Sequence, residues 1–165
     1  MESVRPFRSL SPRRPIGYDS PPMPPRPRAA ALDPGKARIG VAVADELGMM
    51  AHPRAPVDAS NLRSALAKIV ALAQDEGITR FIVGLPVSLS GHEGQAAQKA
   101  RGFAQKVADA TGCEVEMIDE RLSTVQAQRS LRDSGVSSRD ARGKIDGAAA
   151  CVILQAWLDR RAGGG

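Results

Sequence analysis

Apolar and polar positions alternate in two different rhythms along this chain. Residues 29–32 are continuously apolar, the run breaks at Asp33-Pro34-Gly35, and it resumes from Ile39 to Ala44. Short unbroken apolar runs predict strands buried on both faces. Residues 29–33 and 38–44 are the first two strands, and Pro34-Gly35 marks a tight reversal between them. Residues 45–48 read as a hairpin loop and 49–53 as a short third strand. Connections this short predict an antiparallel meander.

The period then changes. Leu62, Leu66, Ile69, Val70 and Ala73 recur at helical spacing over 61–76, with Ser60 as the N-cap and Gly77 as the stop. Residues 80–85 form a buried strand closed by Pro86. A second helix over 95–110 turns Ala100, Phe103, Ala104 and Val107 inward and ends at Thr111-Gly112. Residues 113–118 form a fifth strand that runs into Asp119-Glu120-Arg121. Two more helices follow. One spans 124–134 and stops at Gly135; the other spans 138–161, with Ile145, Ala149, Val152, Ile153 and Trp157 inward. Strands separated by helices imply parallel crossovers. The expected fold is α/β: a mixed five-stranded sheet, an antiparallel meander plus parallel strands, with helices on both faces.

Charge changes this picture mainly at the N-terminus. Residues 1–28 hold eight prolines and six arginines against Glu2 and Asp19, so four of the chain's five net positive charges lie there. That composition predicts a disordered tail ahead of a domain at 29–161, with 162–165 a flexible end. The tail reads either as a plain extension or mispredicted start, or as an RNA-contacting arm. No apolar run is long enough to cross a bilayer, and no secretory signal is present. Cys113 and Cys151 lack metal-ligand spacing and read as buried thiols, which fits a reducing cytoplasm. His52 and His92 stand alone and read as structural or solvated.

Three acids occupy special places in this plan. Asp33 ends the first strand, Glu120 follows the fifth, and Asp146 lies in the last helix beside Ile145. The carboxyl ends of parallel strands form the usual site of an open α/β sheet. Carboxylates gathered there raise one another's pKa, and a divalent cation with a preference for oxygen reverses that penalty. Such ions activate water and stabilise a leaving oxygen in phosphodiester cleavage. Singly, each acid has an ordinary reading. Glu120 could pair with Arg121 or Arg129, and Asp146 with Arg142 on a solvated helix face.

Four segments together resemble the YqgF (RuvX-like) family of pre-16S rRNA nucleases and Holliday-junction-resolvase-like proteins. They are Leu32-Asp33-Pro34-Gly35-Lys36-Ala37-Arg38-Ile39-Gly40, Ile82-Val83-Gly84-Leu85-Pro86, Asp119-Glu120-Arg121-Leu122-Ser123-Thr124, and Lys144-Ile145-Asp146-Gly147. The resemblance covers about 29–161. It implies a ribonuclease H-like fold and a catalytic, metal-binding triad of Asp33, Glu120 and Asp146. It implies Mg²⁺- or Mn²⁺-dependent nucleic acid cleavage in the cytoplasm, on the 5′ end of the 16S rRNA precursor or, in an older assignment, on branched DNA. The chain departs from the family at Ser90, where many members carry an Asp.

Lys36, Arg38, Arg121 and Lys144 flank the acids and are candidate phosphate contacts. Ser123 and Thr124 are candidate hydrogen-bond donors to the nucleic acid, one of them alternatively a helix cap. Three Phe, one Tyr and one Trp leave little for base stacking, so binding should be phosphate-led and salt-dependent. Two other classes remain open. The strand-turn-strand around Asp33 also resembles the phosphate-binding turn of actin-like ATPases and sugar kinases, which use two such domains. A non-catalytic RNA-binding assembly factor is the other. A monomer suffices for an RNA trimmer, whereas a resolvase needs a homodimer to cut two strands.

Overall fold

The computed structural model describes residues 27–88, 90–121 and 141–164, without the side chains of 141–146. Five strands form one sheet: β1 (Arg28–Pro34), β2 (Arg38–Ala44), β3 (Ala51–Asp58), β4 (Ile78–Leu85) and β5 (Glu114–Asp119), in the order β3-β2-β1-β4-β5. β1, β2 and β3 are an antiparallel meander, as the short connections predict. β1 pairs with β4, and β4 with β5, in parallel. The carboxyl ends of β1, β4 and β5 therefore lie along one edge.

Helices α1 (Leu62–Glu76) and α2 (Gln95–Thr111) follow β3 and β4, and α3 (Ala141–Gly163) closes the described chain. Strand alternation sorts the side chains into two layers. Leu32, Val41, Val43, Phe81 and Val83 pack with Ile69 of α1 and Val107 of α2. Ala29, Ala31, Ala42, Ala44, Ile82 and Ile118 pack with Ile153, Leu154 and Trp157 of α3. The alanines on that second face let α3 approach closely. A Cβ on Gly147 would stand 3.2 Å from that of Pro53.

Polar contacts pin α3. Gln155 accepts from Ala51 N at 3.0 Å and donates to Met49 O at 3.0 Å. Trp157 is buried and donates from Nε1 to Glu116 at 2.9 Å, under the Arg161 guanidinium at 4.7 Å. Gly77 and Gly112 end α1 and α2 in the left-handed conformation, at φ 66° and 70°.

Several expectations need correction. β3 runs over 51–58 rather than 49–53, because the edge strand continues through Pro53 and Pro56, which an edge tolerates. Asn61, not Ser60, caps α1. Its side chain accepts from Ser64 N at 3.0 Å, while Ser60 N is held by Asp58 at 2.8 Å. Ala65 is buried and Leu62 is exposed, so the inner row of α1 is Ala65, Ile69 and Ala73. On α3 the buried row includes Ala150, Leu154 and Leu158, whereas Ala149 and Val152 are half-buried. Both thiols are half-buried. The helix expected at 124–134 and the start of the last helix at 138–140 lie outside the described residues, as does the tail at 1–26.

Candidate active site

The site is built from the carboxyl edge of the parallel strands. Asp33 stands next to last in β1, paired across the meander with Gly40. The turn after it is tight. Gly35 N donates to Arg38 O at 2.8 Å, and a Cβ on Gly35 would lie 2.7 Å from that oxygen. Glu120 follows β5, and its backbone N–H donates to Leu85 O at 3.1 Å. That bond extends the β4–β5 pairing by one step and fixes where the Glu120 side chain departs.

Strand alternation puts Asp33, Gly84 and Glu120 on the α3 side of the sheet, two residues beyond Ala31, Ile82 and Ile118 respectively. Gly84 makes room there. A Cβ on it would stand 2.5 Å from Glu120 Oε1 and 2.9 Å from Ile153 Cδ1. The Glu120 carboxylate is thus wedged between the β4 backbone and α3.

Asp33 and Glu120 line one cleft of about 650 Å³. Its near wall is the β1–β2 turn with Lys36. Its far wall is α2, which contributes Gln95, Lys99 and Phe103. Both acids are half-buried. Burial, then the negative charges of Asp33 and Asp119, push the Glu120 carboxyl above its ordinary value. Two like charges sharing a partly dry site make a place for a cation, and hard oxygen donors suit a hard ion. Among the described residues no three His, Cys, Asp or Glu gather as a metal-holding group.

The other candidates divide. Lys36 lines the cleft. Arg121 is exposed, and its guanidinium is held bidentate on the Asp119 carboxylate, Nε to Oδ1 at 3.1 Å and Nη2 to Oδ2 at 2.6 Å. Arg121 thus pairs with Asp119, its neighbour but one, and the same contact holds the Asp119 carboxyl below its ordinary value. Arg38 is exposed at the start of β2, opposite Asp58. Ser123 and Thr124 lie outside the described residues. Lys144 and Asp146 fall within α3, with side chains outside them. Ser90 sits in the loop after β4, its hydroxyl 2.8 Å from that of Ser88.

The sequence reading missed Lys99. A lysine on an exposed helix position reads as solvated, and only the docking of α2 beside β4 brings it to the cleft.

The model of the RuvX family, described as a Holliday junction resolvase, matches residues 27–160. A protein of Anaeromyxobacter dehalogenans (strain 2CP-C) named "Putative pre-16S rRNA nuclease" is 48% identical over 135 residues, which is 82% of this chain and 98% of that protein. One of the same name from Myxococcus xanthus is 42% identical over 132 residues, 80% of this chain and 87% of the relative. Among solved structures, Thermus thermophilus RuvC in complex with a Holliday junction substrate aligns with a TM-score of 0.52 at 16% identity. It covers 83% of this chain and 96% of that one. The chain has that ribonuclease H-like fold, with the expected strand order and mixed pairing.

Proposed function

The chain belongs to the RuvX family, and we propose that it is a metal-dependent nuclease that trims the 5′ end of the 16S rRNA precursor in the cytoplasm, on free RNA or on a pre-ribosomal particle. The observation that carries this reading is Asp33 and Glu120 sharing one cleft at the carboxyl edge of parallel strands. The nuclease unit is assigned to 29–161.

Asp33, Glu120 and Asp146 would hold Mg²⁺ or Mn²⁺. Such an ion, when bound, supplies Lewis acidity at the phosphate and makes water a stronger acid. The chain's own groups do the rest. Asp33 and Glu120 concentrate negative charge at the strand ends, where it draws a cation and sets its position. Ile153 and the small residues beneath α3 keep the Glu120 side of the site partly dry, which strengthens each charge interaction there. Lys36 supplies positive charge to the substrate backbone from the opposite wall. Asp119 holds Arg121, the residue after Glu120, so that a phosphate must compete with a carboxylate for it.

Branched DNA is the second reading, favoured by the family's description as a Holliday junction resolvase. Incubation with Mn²⁺ of a 5′-extended 16S rRNA fragment and of a four-way DNA junction separates the two. Shortening of the RNA with the junction intact supports the proposal. Resolution of the junction alone moves it to the second reading. Binding of RNA without cleavage of either substrate leaves a non-catalytic assembly factor.

A further inference from the structure

The cleft's far wall is one stripe of α2. Gln95, Lys99 and Phe103 follow one another at intervals of four, so they lie along a single helix face, and all three line the cleft. Lys99 is the one basic residue of that stripe. Among the described residues it forms no ion pair, and neither does Lys36 across the cleft, whereas Arg101 on the same helix is held by Glu93 and Arg121 by Asp119. Among the described residues, the positive charge that lines the cleft is therefore a pair of lysines, one on each wall.

The acids and the lysine of α2 lie on different sides of the sheet. Asp33 and Glu120 follow the alternation of the α3 face, and α2 packs on the opposite face. The cleft joins the two by passing over the carboxyl ends of the strands. We propose that Lys99, together with Lys36, grips the phosphates of a single-stranded RNA segment that lies along α2 and crosses the end of the sheet to reach Asp33 and Glu120. A cleft of 650 Å³ is the size of a small-ligand site, which accommodates a short run of one strand. Lys99 then contacts phosphate beside the cut rather than at it. It sets substrate register and affinity, and the carboxylates set chemistry. This rests on the nuclease reading for its purpose, but its test does not need cleavage.

The experiment measures binding of a short labelled single-stranded RNA to the full chain, without divalent metal, across a salt series. Each phosphate contact on a single strand contributes about 0.7 to the slope of log affinity against log salt. Lys99→Gln should lower the slope by about that amount, which narrows the affinity ratio between roughly 50 and 200 mM salt about threefold. Lys99→Arg should restore it. Lys106→Gln, on α2 but away from the cleft lining, should leave the slope as in the wild type. In turnover, Lys99→Gln should raise KM and leave kcat unchanged. An unchanged slope for Lys99→Gln overturns the proposal, as does an equal loss in Lys99→Arg or in Lys106→Gln. Absence of cleavage by every protein, with the slopes as expected, would remove the nuclease reading and leave the RNA path standing.

Discussion

The carboxylate of Glu120 fills the space that a side chain on Gly84 would occupy: a Cβ there would stand 2.5 Å from Oε1. Gly84 is therefore required for what crosses it, not for a special backbone conformation. Replacement by alanine must push Glu120 or Ile153 aside. Gly84→Ala should lose about 1–3 kcal/mol of stability by overpacking, and about 10- to 100-fold in cleavage through displacement of Glu120. Denaturant melts and single-turnover cleavage read the two effects separately.

Glu120 should weaken the fold that it serves. Burial and the nearby acids raise its carboxyl's pKa. A carboxyl raised in the folded state contributes most when protonated, and its stabilisation is lost as pH rises above the ordinary carboxylate value. At neutral pH the ionised group is thus a cost. Glu120→Gln should raise Tm by about 1–4 °C, and Mg²⁺ should raise Tm of the wild type but not of this variant. A thermal-shift series with and without Mg²⁺ gives both numbers.

A second charge cluster acts in the opposite direction. Glu76 accepts from Arg54 at 2.7 and 3.0 Å, with Arg28 at 3.5 Å, and the Arg54 contact is the main cause of its lowered pKa. It ties the end of α1 to the edge strand β3 and the start of β1. Its contribution is present above the ordinary value of about 4.3 and is lost as pH falls through the lower folded value. Glu76→Gln should cost about 1–2 kcal/mol at neutral pH, between the values for exposed and buried pairs. The difference from wild type should shrink toward pH 3, as read by urea melts at each pH.

The cap of α1 offers a matched pair of substitutions. Asn61→Ala removes the acceptor for Ser64 N and should cost about 1 kcal/mol. Ser60→Ala keeps the backbone N–H that Asp58 holds and should be near neutral. Equal effects in urea melts would contradict the cap assignment.

What the sequence discloses and what it hides follow from range. Period and turn residues are local, so the meander, the parallel strands and the ends of α1 and α2 at Gly77 and Gly112 are all legible. Asp33 and Glu120 are legible as a pair because each closes a strand, and β4 aligns both strands in parallel. The extent of β3 is not, because Pro53 and Pro56 read as breakers until the strand is known to lie at an edge. Ser60 and Asn61 are both good caps, and only the Asp58 side chain decides between them. The need for glycine at 84 and the place of Lys99 depend on contacts between elements far apart in the chain, which no local pattern encodes.

On the proposed function, Asp33, Glu120 and Asp146 act as one metal-binding set in RNA cleavage. Mn²⁺-dependent processing of a 5′-extended 16S rRNA fragment, by wild type and by Asp33→Asn, Glu120→Gln and Asp146→Asn, tests it most directly. The wild type should release the shortened RNA and stop when the metal is chelated. Each variant should remain folded and lose at least about 100-fold, because removal of one ligand disables charge stabilisation at the phosphate. Cleavage by the three variants at the wild-type rate, or cleavage indifferent to chelation, would rule out a shared metal site at these three carboxylates.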